Sequence, residues 1–270
     1  MSMQSAPIEK KVTVRTLREM KGKEAITMVT AYDALFAGIF DAEVEMILVG
    51  DSLNMSFFAE PDTLSATMEQ MLYHTKAVCK GVKRSLVVFD MPFGSYTHPQ
   101  QAVENAVRVY RETCAEAIKI EGGQEKAQTV RALSENGIAV LAHIGLMPQS
   151  VRAEGGYRVQ GKSSDEAIRL LEDAKILEEA GAFGLLLEGM DAQVAAKITE
   201  AVGIPTIGIG AGNGTDGQVL VWSDMFGFFE AFKPKFVKRY LNGAELIREG
   251  LRRYREEVKS RAFPDEEHSY

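Results

Sequence analysis

"MILVGDS", Met46 to Ser52, is four apolar residues in a row that end on glycine, aspartate and serine. The pattern recurs along the chain. "LVVFD" closes on Asp90, "AIKIEGG" carries Lys119 and Glu121, and "GLLLEG" closes on Glu188. Short, continuously apolar runs are what strands of a parallel sheet look like when helices cover one face and side chains fill the other. Polar groups at the C-terminal ends of several such strands converge on one mouth of a parallel barrel, where that fold does its chemistry. The pattern points to an enzyme.

Eight such runs are expected, over 25–30, 46–49, 86–90, 117–121, 138–143, 184–188, 206–209 and 219–222. Helices are expected between them over 32–42, 65–80, 99–117, 125–136, 164–180 and 191–202, which gives an α/β chain built as a (β/α)8 TIM barrel. The length of 270 residues suits one barrel of about 250 residues. One domain over 1–270 is therefore expected, with a closing helix near 13–21 and a helical extension near 225–261. Two stretches break the repeat. The segment 145–162, "GLMPQSVRAEGGYRVQGK", is long and Gly-rich enough to be an active-site loop, and "GIGAGNG" after the seventh run has the look of a phosphate cradle or of a close backbone approach.

Hydrophobic residues at 46% and charged ones at 26% are ordinary for a folded domain. A net charge of −7 argues against nucleic acid as a partner, since phosphate contacts need clustered Lys and Arg. Small-molecule substrates are expected instead. No apolar stretch approaches the roughly 18 residues of a membrane span, and the polar stretch 1–11 lacks a signal-peptide pattern, so a cytoplasmic protein is expected without membrane contact. Cys79 and Cys114 each fall in a helix-like segment and are expected to be reduced thiols. Trp222, Phe226, Phe228, Phe229 and Phe232 suggest an exposed aromatic surface and a homo-oligomer.

Asp51 and Asp90 each follow an apolar strand, where an uncompensated carboxylate faces a desolvation cost that a hard cation removes. Magnesium takes one or two carboxylates and keeps other positions for water and substrate, so Glu121 fits as a third ligand, direct or through water. Capping of the following helices is the alternative for these acids. Lys119 and Glu121 share one strand face, so the lysine either grips a substrate carboxylate or forms an ion pair with its neighbour. Glu188 emerges from three leucines, surroundings that raise a carboxyl pKa towards that of a useful general base; a helix cap is its alternative. His143, at the end of the fifth run, is assigned a supporting polar role.

Taken in order, "VTAYD" (29–33), "GDSLNM" (50–55), "YHTKAV" (73–78), "DMPFGSY" (90–96), "KIEGG" (119–123), "HIGLMPQS" (143–150), "GGYRVQG" (155–161) and "IGIGAG" (207–212) resemble the ketopantoate hydroxymethyltransferase family. The resemblance implies a barrel of the phosphoenolpyruvate/pyruvate-binding type and a step in pantothenate synthesis. In that step 5,10-methylenetetrahydrofolate, a co-substrate, hydroxymethylates 3-methyl-2-oxobutanoate to give 2-dehydropantoate through a Mg2+-stabilised enolate. It further implies that Asp51, Asp90 and Glu121 serve one Mg2+ per subunit, that Asp51, Ser52, Asp90 and Lys119 hold the oxo acid, and that Glu188 is the base. A large homo-oligomer is implied too, with a homodecamer as the size considered. The chain departs from the family at Asn54, where many members carry glycine, and inside "NGTDG". A lyase on the same barrel would be expected to carry a catalytic cysteine at a strand end, and a silent anion-binding barrel would not need all of these acids.

Overall fold

The computed structural model describes residues 10–230 and 233–270. Residues 1–9 and Phe232, both used in the sequence reading, lie outside the described residues. The chain divides into two compact units, one ending at Val221 and one spanning Trp222–Tyr270.

The first unit is a closed parallel barrel of strands β1 (Ile26–Thr30), β2 (Met46–Val49), β3 (Leu86–Asp90), β4 (Ala117–Glu121), β5 (Val140–Gly145), β6 (Gly184–Glu188), β7 (Thr206–Ile209) and β8 (Gly217–Leu220). β8 closes on β1 through Ile26–Gly217 and Met28–Val219. Helices follow the strands, and several are started by a local signal. Asp33 caps Ala34–Phe40, Thr67 forms a capping box with Gln70 on Met68–Gly81, and Ser163 caps Ser164–Glu179.

Side chains two apart along a strand point the same way, and that parity divides the barrel interior into layers. Leu86, Val88, Ala117, Leu141, Leu186 and Ile207 form one buried apolar cluster with Leu17 and Val12, which place helix Val14–Met20 against the same core. One layer further along, the inward positions become Asp90, Lys119, Glu121, His143 and Glu188. Each fully buried aliphatic side chain below stabilises the fold by about 1.5–3 kcal/mol. The dry lower layers thus form a rigid floor beneath a charged upper one.

Two strands are displaced from their expected positions. β5 begins at Val140 instead of 138, because Gly137 at φ +78° turns the chain and the Ile138 amide still bonds back to Leu133. β8 begins at Gly217 instead of 219, and Trp222 opens a short helix. Asp216 accepts from the Thr206 amide and hydroxyl and from Lys21, which pins that strand start; a Cβ at Gly217 would stand 2.3 Å from the Ile26 carbonyl oxygen.

The expectation of free thiols is corrected: Cys79 and Cys114 form a disulfide with a Cα separation of 5.6 Å. The helix before Cys114 ends at Glu112, so the cysteine lies in the connection to β4 and its amide also reaches Cys79 Sγ at 3.0 Å. Thirty-five residues separate the two, and no local pattern announces the pairing.

In the second unit, Trp222–Met225 is helical and Gly243–Ser260 is a long charged helix. The expected aromatic exposure is also corrected. Trp222 is buried and Phe226, Phe228 and Phe229 are half-buried, because the Trp222 and Phe228 rings pack at 5.3 Å and Phe228 lies over Gly243. Among the described residues no helix is long and apolar enough to cross a membrane.

Candidate active site

The register sets Asp90 beside Lys119 and Glu121 beside His143 at the C-terminal mouth. Asp51, one residue beyond Gly50 after β2, joins them through its amide, which donates to Asp90 Oδ2 at 3.1 Å. Lys119 Nζ donates to Asp90 Oδ1 at 2.6 Å and stands 3.5 Å from Glu121 Oε1. The ion pair of the lysine is therefore mainly with Asp90. Neither Asp51 nor Asp90 acts as a helix cap: the helix Leu53–Phe57 begins at Ser52 without a side-chain cap bond, and His98 caps Pro99–Glu112. The Ser52 hydroxyl lies 2.8 Å from the Tyr32 hydroxyl.

All four of these charged side chains are buried. Burial pushes the Asp51 carboxyl well above the usual range and the Asp90 charge adds to it, while Lys119 opposes the rise. Burial also pulls on the Lys119 ammonium, but Asp90, Glu121 and Asp51 outweigh it and hold its pKa well above the ordinary value. Glu121 goes the other way: despite burial, Lys119 and His143 keep its carboxyl below the usual value.

Glu188 ends β6 with 19% of its side chain open. Burial lifts its pKa to about 7, with His143 opposing and Glu121 adding. It caps nothing; Asp191 caps helix Ala192–Ala201 through the Gln193 and Val194 amides. His143 sits between the acids, Nδ1 3.5 Å from Glu121 and Nε2 3.4 Å from Glu188. Both distances are long for hydrogen bonds, so the ring stands between the two carboxylates in near contact with each.

Two buried residues at the centre were not singled out by sequence reasoning. Gln149, in the turn Pro148–Ser150 after β5, donates from Nε2 to Asp51 Oδ2 at 2.9 Å and from its amide to Glu121 Oε2 at 3.0 Å. Tyr96 donates to Gln149 Oε1 and accepts from the Glu121 amide at 3.2 Å. Burial, reinforced by the Glu121 charge, keeps the Tyr96 phenol protonated far beyond its normal range. Both lie within stretches quoted above, "HIGLMPQS" and "DMPFGSY", and the loop containing Gln149 had been marked as an active-site loop; burial of a loop side chain is the tertiary fact that a pattern lacks.

The model of the ketopantoate hydroxymethyltransferase family matches residues 11–266. The chain belongs to that family. The 3-methyl-2-oxobutanoate hydroxymethyltransferase of Wolinella succinogenes is 59% identical over 97% of this chain and 100% of its own length. That of Helicobacter pylori strain 26695 is 58% identical over 100% of both chains. Among solved structures, phosphonopyruvate hydrolase in complex with oxalate and Mg2+ aligns with a TM-score of 0.61 at 14% identity, covering 94% of this chain and 92% of that one. 2,3-Dimethylmalate lyase aligns with a TM-score of 0.58 at 17% identity over 95% and 91%. At such identities these two likenesses concern the fold alone.

Asn54 has a structural role in this chain: the side chain is buried and donates to Ser65 Oγ at 2.9 Å. The Gly-rich run after β7 has a packing reason as well. A Cβ at Gly212, where φ is +78°, would stand 2.5 Å from that of Ala192, and one at Gly214 would stand 2.8 Å from that of Ala196. Those glycines let the loop lie directly on helix Ala192–Ala201.

Among the described residues no group of three His, Cys, Asp or Glu stands in ready metal-ligand geometry, since Lys119 holds one oxygen of Asp90 and Gln149 one of Asp51. The donor set nevertheless fits a hard cation. Asp51, Asp90 and Glu121 are buried carboxylates opposed by the single charge of Lys119, and Asp51 bears the cost as a strongly raised pKa.

Proposed function

We propose that this chain transfers a hydroxymethyl group from 5,10-methylenetetrahydrofolate to 3-methyl-2-oxobutanoate, giving 2-dehydropantoate and tetrahydrofolate on the route to pantothenate. Family membership supports the substrates, and one observation carries the mechanism: the partly open carboxyl of Glu188 stands at the same strand-end mouth as the buried cluster of Asp51, Asp90, Glu121 and Lys119.

Asp51 and Asp90 would hold Mg2+, with Glu121 beside them. When bound, the cation supplies positive charge opposite the ketone oxygen of a 2-oxo acid and so makes the neighbouring C–H more acidic. Lys119 and Ser52 receive the substrate carboxylate; the lysine suits this because the surrounding acids keep it charged. Glu188 takes the C3 proton. The electron pair left on C3 forms a bond to the folate-borne methylene as one of its two carbon–nitrogen bonds breaks; water then displaces the second nitrogen and leaves its OH on that carbon, and the two nitrogens take up the C3 proton, returned by Glu188, and the remaining proton of the water. His143 Nε2, 3.4 Å from Glu188 Oε2, stands beside the base as a polar neighbour. Purified protein given both substrates and Mg2+ should form 2-dehydropantoate, read by mass spectrometry. A folded, Mg2+-loaded chain that makes none would overturn the assignment.

A further inference from the structure

Gln149 is 6% exposed, and three of the four hydrogen-bonding positions of its side-chain amide are filled by its neighbours. Nε2 donates to Asp51 Oδ2 at 2.9 Å and to the Met91 carbonyl, which can only accept, at 3.0 Å. Oε1 faces the Tyr96 hydroxyl. The Tyr96 oxygen accepts the Glu121 amide proton, and its own proton is donated to Oε1. A flipped amide would set its oxygen against the Met91 carbonyl and turn its NH2 away from Asp51. The same residue holds Glu121 Oε2 with its backbone amide at 3.0 Å.

We propose that Gln149, locked by Tyr96, is the positioning residue of the cation site, fixing Asp51 by its side chain and Glu121 by its backbone so that the two carboxylates face a divalent cation together; this rests on the Mg2+ reading above. The device also ties the long loop to the chemistry. At the loop's far end, the Gln160 amide donates to the Gly189 carbonyl at 2.8 Å and the Asp191 amide to the Gln160 carbonyl at 2.9 Å, next to Glu188. One connection thus begins at the proposed cation ligands and ends at the proposed base.

Mn2+ binding to the full chain without substrates, followed by electron paramagnetic resonance, tests the proposal. Gln149→Met keeps length and volume, and should weaken Mn2+ by about tenfold or more, as loss of a partner that orients a ligand does. Tyr96→Phe should weaken it less. The double variant should bind within about twofold of Gln149→Met, because the Tyr96 hydroxyl reaches the Asp51 side chain through Gln149 and its bond to Glu121 is to the backbone and not to the carboxylate, whereas two merely structural losses would multiply. Unchanged affinity in folded Gln149→Met, or multiplying losses, overturns the proposal while leaving the cation site in place. If Gln149→Met does not fold, Tyr96→Phe decides: weakened binding supports the role and parental binding overturns it. A parent chain that takes up no Mn2+ overturns the cation reading and this proposal with it.

Discussion

Glu188→Gln is expected to keep the fold and to retain binding of 3-methyl-2-oxobutanoate, yet to lose exchange of the C3 hydrogen for deuterium. A positioned general base contributes about 10²–10⁴-fold, and the amide cannot accept the proton. The environment of Glu188 gives the expectation a pH signature. Burial raises its carboxyl to about 7, so parental exchange should climb as pH rises through that value and fall away on the acid side, where the carboxyl is protonated. The same shift makes loss of fold a poor explanation for lost exchange. A carboxyl raised above its unfolded value contributes stability that is fully present below the unfolded value and lost as pH rises through about 7. The neutral amide removes that dependence. Proton NMR of the oxo acid in deuterated buffer reads both effects. Parental exchange in the variant, or a rate flat across neutral pH, would remove Glu188 from the role.

Lys119→Met should have the second largest effect, first on stability. Its ammonium is the buried positive charge lying among Asp90, Glu121 and Asp51, and its bond to Asp90, at 2.6 Å, is shorter than its 3.5 Å contact with Glu121. Removing one partner of a buried pair costs about 3–5 kcal/mol, because the other charge stays buried and uncompensated. Urea unfolding in EDTA should show that loss, and Mg2+ should recover part of it, since a ligand bound only by the folded state stabilises that state. Oxo acid affinity should fall as well and stay low with Mg2+ present, because the charge that receives the substrate carboxylate is gone. Unfolding of the variant at the parental urea concentration in EDTA would contradict the account of the charge balance.

The barrel was legible because its signal is repetitive: apolar runs ended by polar residues mark strand after strand, and the parity of Lys119 and Glu121 places both on one inward face. Asp51, Asp90, His143 and Glu188 could be located from the same pattern, since a strand end fixes position without knowledge of its neighbours. Gln149 and Tyr96 could not. Each lies in a connection, and their importance comes from a contact 53 residues apart in sequence. The disulfide escaped for a similar reason, because Cys79 and Cys114 meet only when the end of one helix is laid beside the connection after another. Gly217 was passed over as a strand start because glycine carries little strand signal, although a tight approach to Ile26 requires it there.

The central claim is that buried acids at the strand ends hold a divalent cation that lets a 2-oxo acid give up its C3 proton. Deuterium exchange into 3-methyl-2-oxobutanoate by the parental chain, without folate, measures this directly. The account predicts exchange with Mg2+, none in EDTA, and recovery when excess Mg2+ is returned. Equal exchange in metal-depleted buffer would contradict it.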